Sequence, residues 1–186
     1  MRIISGYLKG KSINFIKNST TRPLKDLVKE NIFNILKHSK LIDVKIENAN
    51  VLDLYSGIGS FGLECISRGA KNVTFVEQDK NALNTLKQNL NQLSILSYAK
   101  IVENKIENIF REENKQIFNI FFLDPPFNDV NFIKNLNIIK KNQIHKKEHI
   151  VIIHREKNSS DVLSNIIDIV ITKQYGRSKI LFGVFN

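Results

Sequence analysis

From Val51 onward, short apolar runs alternate with segments whose apolar residues recur at helical spacing. Neighbouring parallel strands need a long crossover between them, usually a helix, so this alternation constrains the fold more than any other feature. It predicts an α/β fold with an open, mostly parallel sheet covered by helices on both faces. The predicted strands lie at about 51–55, 73–77, 98–103, 118–123 and 148–154, and the predicted helices at about 60–68, 79–92, 105–113 and 130–141.

Two further strands are predicted at about 166–173 and 179–185. Only residues 174–178 connect them, which is too short for a helical crossover, so these two strands must pair antiparallel. The complete prediction is a seven-stranded sheet, mostly parallel, that ends in a C-terminal antiparallel hairpin.

The N-terminal region differs from the rest of the chain in its charge. Residues 1–40 carry nine basic and two acidic side chains, and the whole chain has a net charge of +10. Residues 2–16 alternate loosely around two glycines, which predicts a short hairpin or an extended arm, and Pro23 begins a predicted helix that ends near Leu36. We therefore predict an N-terminal basic arm and helix (residues 1–40) and a sheet domain (residues 41–186). The arm is either a solvated surface or a contact for a polyanion.

Composition excludes several classes of protein. No apolar run approaches the ~18–20 residues needed to cross a bilayer, and Met1–Lys11 lacks the apolar stretch of a signal peptide. Cys65 is the only cysteine, so a disulfide framework is excluded. Because Cys65 lies on an apolar helix face, we predict a buried thiol rather than a nucleophile. These features predict a cytoplasmic protein that does not enter a membrane.

A carboxylate follows the buried strand at about 118–123. Asp124 precedes Pro125, Pro126 and Phe127. The prolines fix φ and lack N–H donors, so their carbonyls are held rigidly, and Phe127 adds a flat apolar face. A carboxylate, a rigid carbonyl and an aromatic ring suit a planar group with an amino nitrogen, such as a nucleobase. The competing interpretation is an ordinary strand-to-turn junction, where Asp-Pro pairs are common.

A glycine-rich turn follows the first strand of the sheet. Gly57, Gly59 and Gly62 satisfy G-x-G-x-x-G, and Glu77 ends the next strand 20 residues after Gly57, where a carboxylate can bind ribose hydroxyls. A dinucleotide site is therefore one interpretation. Asp53, at the end of the first strand, argues against it, because a carboxylate there would repel a diphosphate. The same charge would attract an ammonium or a sulfonium group, and S-adenosylmethionine carries both.

These motifs together resemble a known family. Asp53-x-Tyr55-x-Gly57-x-Gly59, Glu77 and the Asp-Pro-Pro-Phe stretch are similar to successive motifs of class I, Rossmann-like amino-methyltransferases, whose fold has seven strands and a terminal antiparallel hairpin. The N-terminal region narrows the resemblance to the RsmD family, bacterial enzymes that methylate guanine N2 in 16S ribosomal RNA. The segments that carry this narrower resemblance are Arg2-Ile3-Ile4-Ser5-Gly6, Lys9-Gly10-Lys11, Thr21-Arg22-Pro23 and Glu30-x-x-Phe33-Asn34-x-Leu36. The resemblance covers nearly the whole chain.

The resemblance implies an S-adenosylmethionine-dependent enzyme that methylates a guanine of 16S rRNA, in the small ribosomal subunit or an assembly intermediate, as a monomer without a metal. The implied catalytic residues are Asp124, Pro125, Pro126 and Phe127. The implied cofactor-binding residues are Asp53, Tyr55, Ser56, Gly57, Gly59, Glu77, Gln78, Asn104, Lys105 and Asp124. The implied RNA-binding residues are Arg2, Lys9, Lys11, Arg22 and Lys25.

Several positions depart from the family pattern. Lys105-Ile106 stands where the family has Asp or Asn-Ala for the adenine, and Arg177 stands where it has Asp. The Asp-Pro-Pro-Phe stretch is shared with DNA adenine and cytosine methyltransferases. A methyltransferase acting on adenine N6 or cytosine N4, and a noncatalytic RNA-binding relative, therefore remain alternatives.

The four histidines do not predict a metal site. His145 and His149 are four residues apart, but residues 145–148 are predicted to be a loop and no carboxylate or cysteine cluster completes a ligand set. We interpret the histidines as solvated or packed side chains.

Overall fold

The computed structural model describes residues 1–16, 24–103 and 116–186. The predicted helix at about 105–113 and the predicted start of a helix at Pro23 lie outside those residues. The elements in chain order are α1 (Asp26–His38), β1 (Asn50–Leu54), α2 (Ser60–Ser67), β2 (Asn72–Glu77), α3 (Lys80–Gln92), β3 (Ala99–Glu103), β4 (Phe118–Leu123), α4 (Phe132–Lys141), β5 (His145–Glu156), β6 (Ile167–Tyr175) and β7 (Ser178–Phe185).

The seven described strands form one sheet in the order β3-β2-β1-β4-β5-β7-β6. The pairs from β3 through β5 are parallel, whereas β7 pairs antiparallel with both β5 and β6. The predicted α/β fold, with a mostly parallel seven-stranded sheet and a C-terminal antiparallel hairpin, is therefore confirmed. The strand order reverses direction between β1 and β4, and a crevice opens at such a point beyond the strands' carboxyl ends.

Strand β5 is longer than the sequence pattern indicates. Residues 145–148, predicted to be a loop, belong to this strand, and His145 pairs with Phe118 of β4. The prediction was wrong because Lys146, Lys147 and Glu148 are exposed and polar, so the strand continues beyond the apolar core on which the pattern depends.

The turn that begins α2 depends on glycine. Gly59 has a φ of +86°, a left-handed conformation that favours glycine. One turn later, a Cβ added to Gly62 would lie 2.3 Å from the ring of Phe75 on β2, so only glycine lets the helix pack this close to the strand. At α3, the Asp79 side chain accepts a hydrogen bond from the N–H of Ala82 and caps the helix.

Side chains of the sheet alternate between two apolar clusters. Val51 packs in one cluster and Leu52 in the other, because successive residues of a strand face opposite sides of the sheet. On one side, Phe61 of α2 stacks between Phe33 of α1 and Phe122 of β4, with ring centroids 5.1 and 4.0 Å apart. This stack joins the N-terminal helix to the centre of the sheet.

The N-terminal segment folds as a hairpin that packs on α2. Arg2 and Ser12 form an antiparallel bridge, which confirms the hairpin alternative. The buried carboxylate of Glu64 accepts hydrogen bonds from the N–H groups of Ile4 and Ser5, at 2.7 and 2.9 Å. Glu64 also lies 3.9 Å from the buried ammonium of Lys29, so the hairpin, α1 and α2 meet at one charged contact.

Cys65 is buried, as predicted, and burial raises the pKa of its thiol well above the ordinary value. None of the helices in the described part of the chain is both long and apolar enough to cross a membrane.

Candidate functional site

Three carboxylates lie at or next to the carboxyl ends of neighbouring parallel strands. Asp53 is near the end of β1, Glu77 ends β2, and Asp124 follows β4. Leu54 pairs with Leu123 across β1 and β4, and the N–H of Asp124 points to the Leu54 carbonyl at 3.4 Å. The three predicted acidic residues therefore lie at one edge of the sheet, where the strand order reverses.

Glu77 organises the glycine turn after β1. One oxygen, Oε2, accepts a hydrogen bond from the N–H of Gly57 at 2.7 Å. The other, Oε1, accepts from the N–H groups of Gln78 and Asp79, each at 2.8 Å. A Cβ placed at Gly57 would meet no atom within 4 Å, whereas one at Gly59 would collide with Leu86 at 2.5 Å. Gly57 thus leaves room for a ligand to approach the backbone, while Gly59 serves close packing.

Asp53 is a buried carboxylate beneath this turn. Its Oδ2 accepts a hydrogen bond from the N–H of Gly62 at 2.9 Å, so Asp53 also anchors the start of α2. Its Oδ1 is buried and has no hydrogen-bond partner among the described residues. Burial raises the pKa of Asp53 well above its ordinary value; the Gly62 hydrogen bond opposes this, and nearby Asp124 and Glu77 raise the pKa further. A cationic group placed beside Asp53 would relieve this energetic cost.

The remaining predicted cofactor residues that the structure describes are Tyr55 and Ser56, which follow β1, and Gln78, which follows β2. Tyr55 has a φ of +56°, a left-handed conformation that is uncommon for a residue with a side chain and that recurs at functional sites. Its hydroxyl accepts a hydrogen bond from Asn135 of α4 at 2.9 Å, and burial raises its pKa. Ser56 is buried, and its hydroxyl has no partner within the described ranges. Gln78, beyond Glu77, is exposed.

Two side chains of β5 contact the segment from Asp124 to Phe127, which is here called the acceptor loop. The carboxylate Oδ1 of Asp124 lies 2.8 Å from Nδ1 of His154. Arg155 donates one hydrogen bond to the Pro126 carbonyl and one to the Phe127 carbonyl, each at 3.0 Å. The Phe127 ring meets the His154 ring edge-on, with centroids 5.7 Å apart. The four predicted catalytic residues therefore lie together, with two further side chains supporting them.

Sequence reasoning missed His154 and Arg155 as parts of this site. His154 was interpreted as a solvated or packed histidine, and it is packed, but its contact with Asp124 lies across 30 residues of sequence. A signal was present in the strand itself. Residues 150–153 are an apolar run, and a histidine and an arginine directly following it are placed level with the end of β4.

The predicted RNA-binding residues fall into two groups. Arg2, Lys9 and Lys11 are exposed on the N-terminal hairpin, and Lys25 is exposed just before α1. Arg2 and Lys9 line one shallow pocket together with Asp26 and Glu30, so the hairpin and the start of α1 share a surface. The remaining predicted sites, Arg22 of the RNA group and Asn104 and Lys105 of the cofactor group, lie outside the described residues.

His145 and His149 pack against the ring of Phe185. Nε2 of His149 accepts a hydrogen bond from the N–H of Phe185 at 2.9 Å, and burial lowers the pKa of His149. No group of three or more metal-ligating side chains occurs in residues 1–16, 24–103 and 116–186.

Comparison with known proteins identifies the family. The family described as conserved hypothetical protein 95 matches residues 1–184. Ribosomal RNA small subunit methyltransferase D of Buchnera aphidicola subsp. Acyrthosiphon pisum is 34% identical over 161 residues, which cover 87% of this chain and 81% of that protein. The protein of the same name from Haemophilus influenzae is 32% identical over 160 residues, which cover 85% of this chain and 80% of that protein.

A solved structure extends the likeness to three dimensions. The Escherichia coli protein yhhF, assigned as a methyltransferase, superposes with a TM-score of 0.81 at 26% identity, over 98% of this chain and 96% of that one. The fold is therefore that of the Rossmann-like methyltransferases. Since the family match spans almost the whole sequence, the chain belongs to the conserved hypothetical protein 95 family, which is the RsmD family that its motifs predict.

Proposed function

We propose that this protein transfers a methyl group from S-adenosylmethionine to the exocyclic N2 of a guanine in the 16S rRNA of the small ribosomal subunit. The observation that carries the proposal is the position of Asp124 after β4, directly beside the end of β1, which carries Asp53 and leads into the turn that Glu77 organises. A receptor for an amino group thus adjoins a site suited to a cationic nucleoside. The relatives named as small subunit rRNA methyltransferases support the class of substrate.

The residues of the turn suit the proposed cofactor. Glu77 is fixed by three backbone N–H groups and keeps one acceptor site, on Oε2, for a ribose hydroxyl, since each carboxylate oxygen has two lone pairs. The partnerless Oδ1 of Asp53 suits a cation, and Gly57 leaves the backbone open to close approach. S-adenosylmethionine supplies an electrophilic methyl group on a positively charged sulfur. Asn104 and Lys105, which follow β3 in the sequence, are proposed to lie near its adenine.

Asp124 is the residue proposed to receive the target amine. The lone pair of guanine N2 is delocalised into the ring, so this amine is a poor nucleophile. Asp124 and the Pro125 carbonyl would accept its two N–H hydrogens and favour a pyramidal nitrogen. Positive charge grows on the nitrogen during transfer, and a fixed carboxylate stabilises that charge more in the transition state than in the ground state. Phe127 would stack on the extruded base.

The basic N-terminal part is proposed to bind the RNA backbone. Arg2, Lys9, Lys11 and Lys25 are exposed on adjoining surfaces and can face phosphates. Residues 1–40 then act as the RNA-contacting part, although the hairpin shares its core with the sheet domain of residues 41–186. We expect a monomer that acts in the cytoplasm, where small subunits and their assembly intermediates are found.

The test is methyl transfer to small subunits isolated from a strain that lacks its own enzyme. The purified protein is incubated with methyl-labelled S-adenosylmethionine, and the 16S rRNA is digested and examined by mass spectrometry. We expect label in N2-methylguanosine, and none with Asp124→Ala. Label in N6-methyladenosine or N4-methylcytosine would contradict the proposed base. Cofactor and RNA binding without transfer would indicate a noncatalytic relative.

A further inference from the structure

The end of β5 carries two adjacent buried side chains, His154 and Arg155, whose polar contacts converge on the acceptor loop. Neither is needed to fill the apolar core, since a hydrophobic residue would pack there at lower cost of desolvation. Their hydrogen bonds therefore indicate what they do.

His154 contacts both the carboxylate and the aromatic ring of the acceptor loop. Its Nδ1 lies 2.8 Å from Oδ1 of Asp124, and because a carboxylate only accepts, Nδ1 must carry the proton. The same ring touches the edge of Phe127. Its Nε2 is buried and has no partner among the described residues, so the polar side-chain contact of this ring is directed at Asp124. Since His154 engages Oδ1, Oδ2 is the oxygen that this contact leaves fully available to an incoming amine.

Arg155 holds the backbone of the same loop. Pro125 and Pro126 have no N–H groups, so the loop has few donors of its own with which to fix its shape. The guanidinium donates to the Pro126 and Phe127 carbonyls and forms a two-bond ion pair with Asp161, at 2.9 and 3.1 Å. Its flat face also lies 4.4 Å from the centroid of the Phe132 ring. A single planar side chain thus ties the loop to α4 and to the segment after β5.

We propose that His154 and Arg155 are positioning residues of the methyl-acceptor site. His154 orients the carboxylate of Asp124, and Arg155 fixes the backbone that presents Phe127 to the base. This inference rests on the proposed function, since the geometry that it explains is that of the amine receptor. Sequence neighbours on one strand thereby control both the charged and the aromatic part of the receptor.

Substitutions at His154 separate orientation from mere packing. His154→Leu removes the donor and keeps apolar bulk, whereas His154→Asn places an amide N–H near the position of Nδ1. At saturating S-adenosylmethionine, we expect the single-turnover methylation rate to fall ~10–100-fold with Leu and to return within about threefold of wild type with Asn. The dissociation constant of S-adenosylmethionine should not change. Equal rates for Leu and wild type, or an Asn variant as slow as Leu, would overturn the role of His154.

Substitutions at Arg155 test the backbone clamp. Arg155→Lys keeps the charge but replaces the planar fork that makes four hydrogen bonds with a single nitrogen that has three donors, so we expect at least a 10-fold slower rate. The matched control is Arg177→Lys, an exposed arginine paired with Glu156, which should behave as wild type. If Arg155→Lys does not fold, Asp161→Asn loosens the same guanidinium with a smaller change. A wild-type rate in a folded Arg155→Lys or Asp161→Asn variant would overturn the clamp.

Hydrogen exchange tests the Arg155 clamp independently of activity. Peptides covering residues 124–131 are followed by mass spectrometry in each variant at a temperature where all are folded. We expect faster exchange there in Arg155→Lys and no change in Arg177→Lys; unchanged exchange in both would refute the clamp. A wild-type protein that binds S-adenosylmethionine but methylates no small subunit would refute the proposed function alone, and the exchange result would still decide the clamp.

Discussion

Asp53→Asn tests the interpretation of the buried carboxylate under the glycine turn. The asparagine oxygen can keep the hydrogen bond from the N–H of Gly62, so the turn should survive. The substitution removes the charge that the proposed cofactor would meet at Oδ1. A hydrogen bond to a charged group contributes ~1.5–3 kcal/mol, and each ~1.4 kcal/mol is tenfold in affinity. We therefore expect S-adenosylmethionine to bind roughly 10–150-fold more weakly, as measured by calorimetry.

The same change should affect stability in the opposite direction. The pKa of Asp53 is raised in the folded protein, chiefly by burial, so folding favours its protonated form. As pH rises from the unfolded pKa, about 3.9, through the raised folded pKa, the free wild-type protein loses the stability that this preference provides. Asparagine does not titrate. The free energy of unfolding of Asp53→Asn, relative to wild type, should therefore increase over that pH range.

Proton release gives a third measurement on this residue. A cation bound beside Asp53 favours the ionised carboxylate, so cofactor binding should release protons wherever Asp53 is protonated in the free protein. Calorimetry in two buffers of different ionisation enthalpy detects this release, which Asp53→Asn should reduce. Asp168→Asn, at an exposed carboxylate on the edge strand β6, is the matched control. Unchanged affinity together with unchanged proton release in Asp53→Asn would refute the assignment of Asp53 to the cofactor site.

Three further predictions concern the acceptor, the arm and the glycine turn. Asp124→Ala should abolish single-turnover methylation with cofactor affinity intact, and Asp124→Asn should slow it ~10²–10³-fold; a folded alanine variant at the wild-type rate would remove Asp124 from the mechanism. Replacing Arg2, Lys9 and Lys11 by Gln should flatten the salt dependence of RNA binding by ~0.7–0.9 log units for each lost phosphate contact, whereas an unchanged slope would make the hairpin a solvated surface. Gly62→Ala should lower the free energy of unfolding by ~1–3 kcal/mol in denaturant titrations, because the new methyl group would collide with the adjacent phenylalanine; an unchanged midpoint would show that this ring moves aside.

The sheet was predictable from sequence because its signals are local. Apolar runs such as residues 118–123 are bounded by polar residues, and the short link at residues 174–178 leaves no alternative to an antiparallel pair. The same locality placed Asp53, Glu77 and Asp124 at one edge, since each comes at or next to the end of a parallel strand. No pairing of distant side chains was needed for that inference.

The supporting contacts could not be predicted because they join residues far apart in sequence. The pattern shows that His154 follows an apolar strand, but not that its ring meets Asp124. The basic charge of the N-terminus indicated an exposed arm, yet Ile3, Leu8 and Ile13 are buried and Glu64 holds the hairpin backbone. A net charge describes a surface on average, whereas docking depends on a few buried groups beneath it.

The place of β7 in the sheet has a consequence for how the protein folds. This strand follows β6 in the chain but lies between β5 and β6, so β6 joins the sheet only when β7 pairs with β5. Until then β5, which carries His154 and Arg155, has an unpaired edge that can associate with other chains. The pairing of β7 with β5 is non-local, because β6 comes between them in the chain, and non-local pairing is slow to form. A chain still emerging from the ribosome would therefore cover the free edge of β5 only after β7 has been synthesised, and agents that protect a nascent strand edge should raise the yield of folded protein.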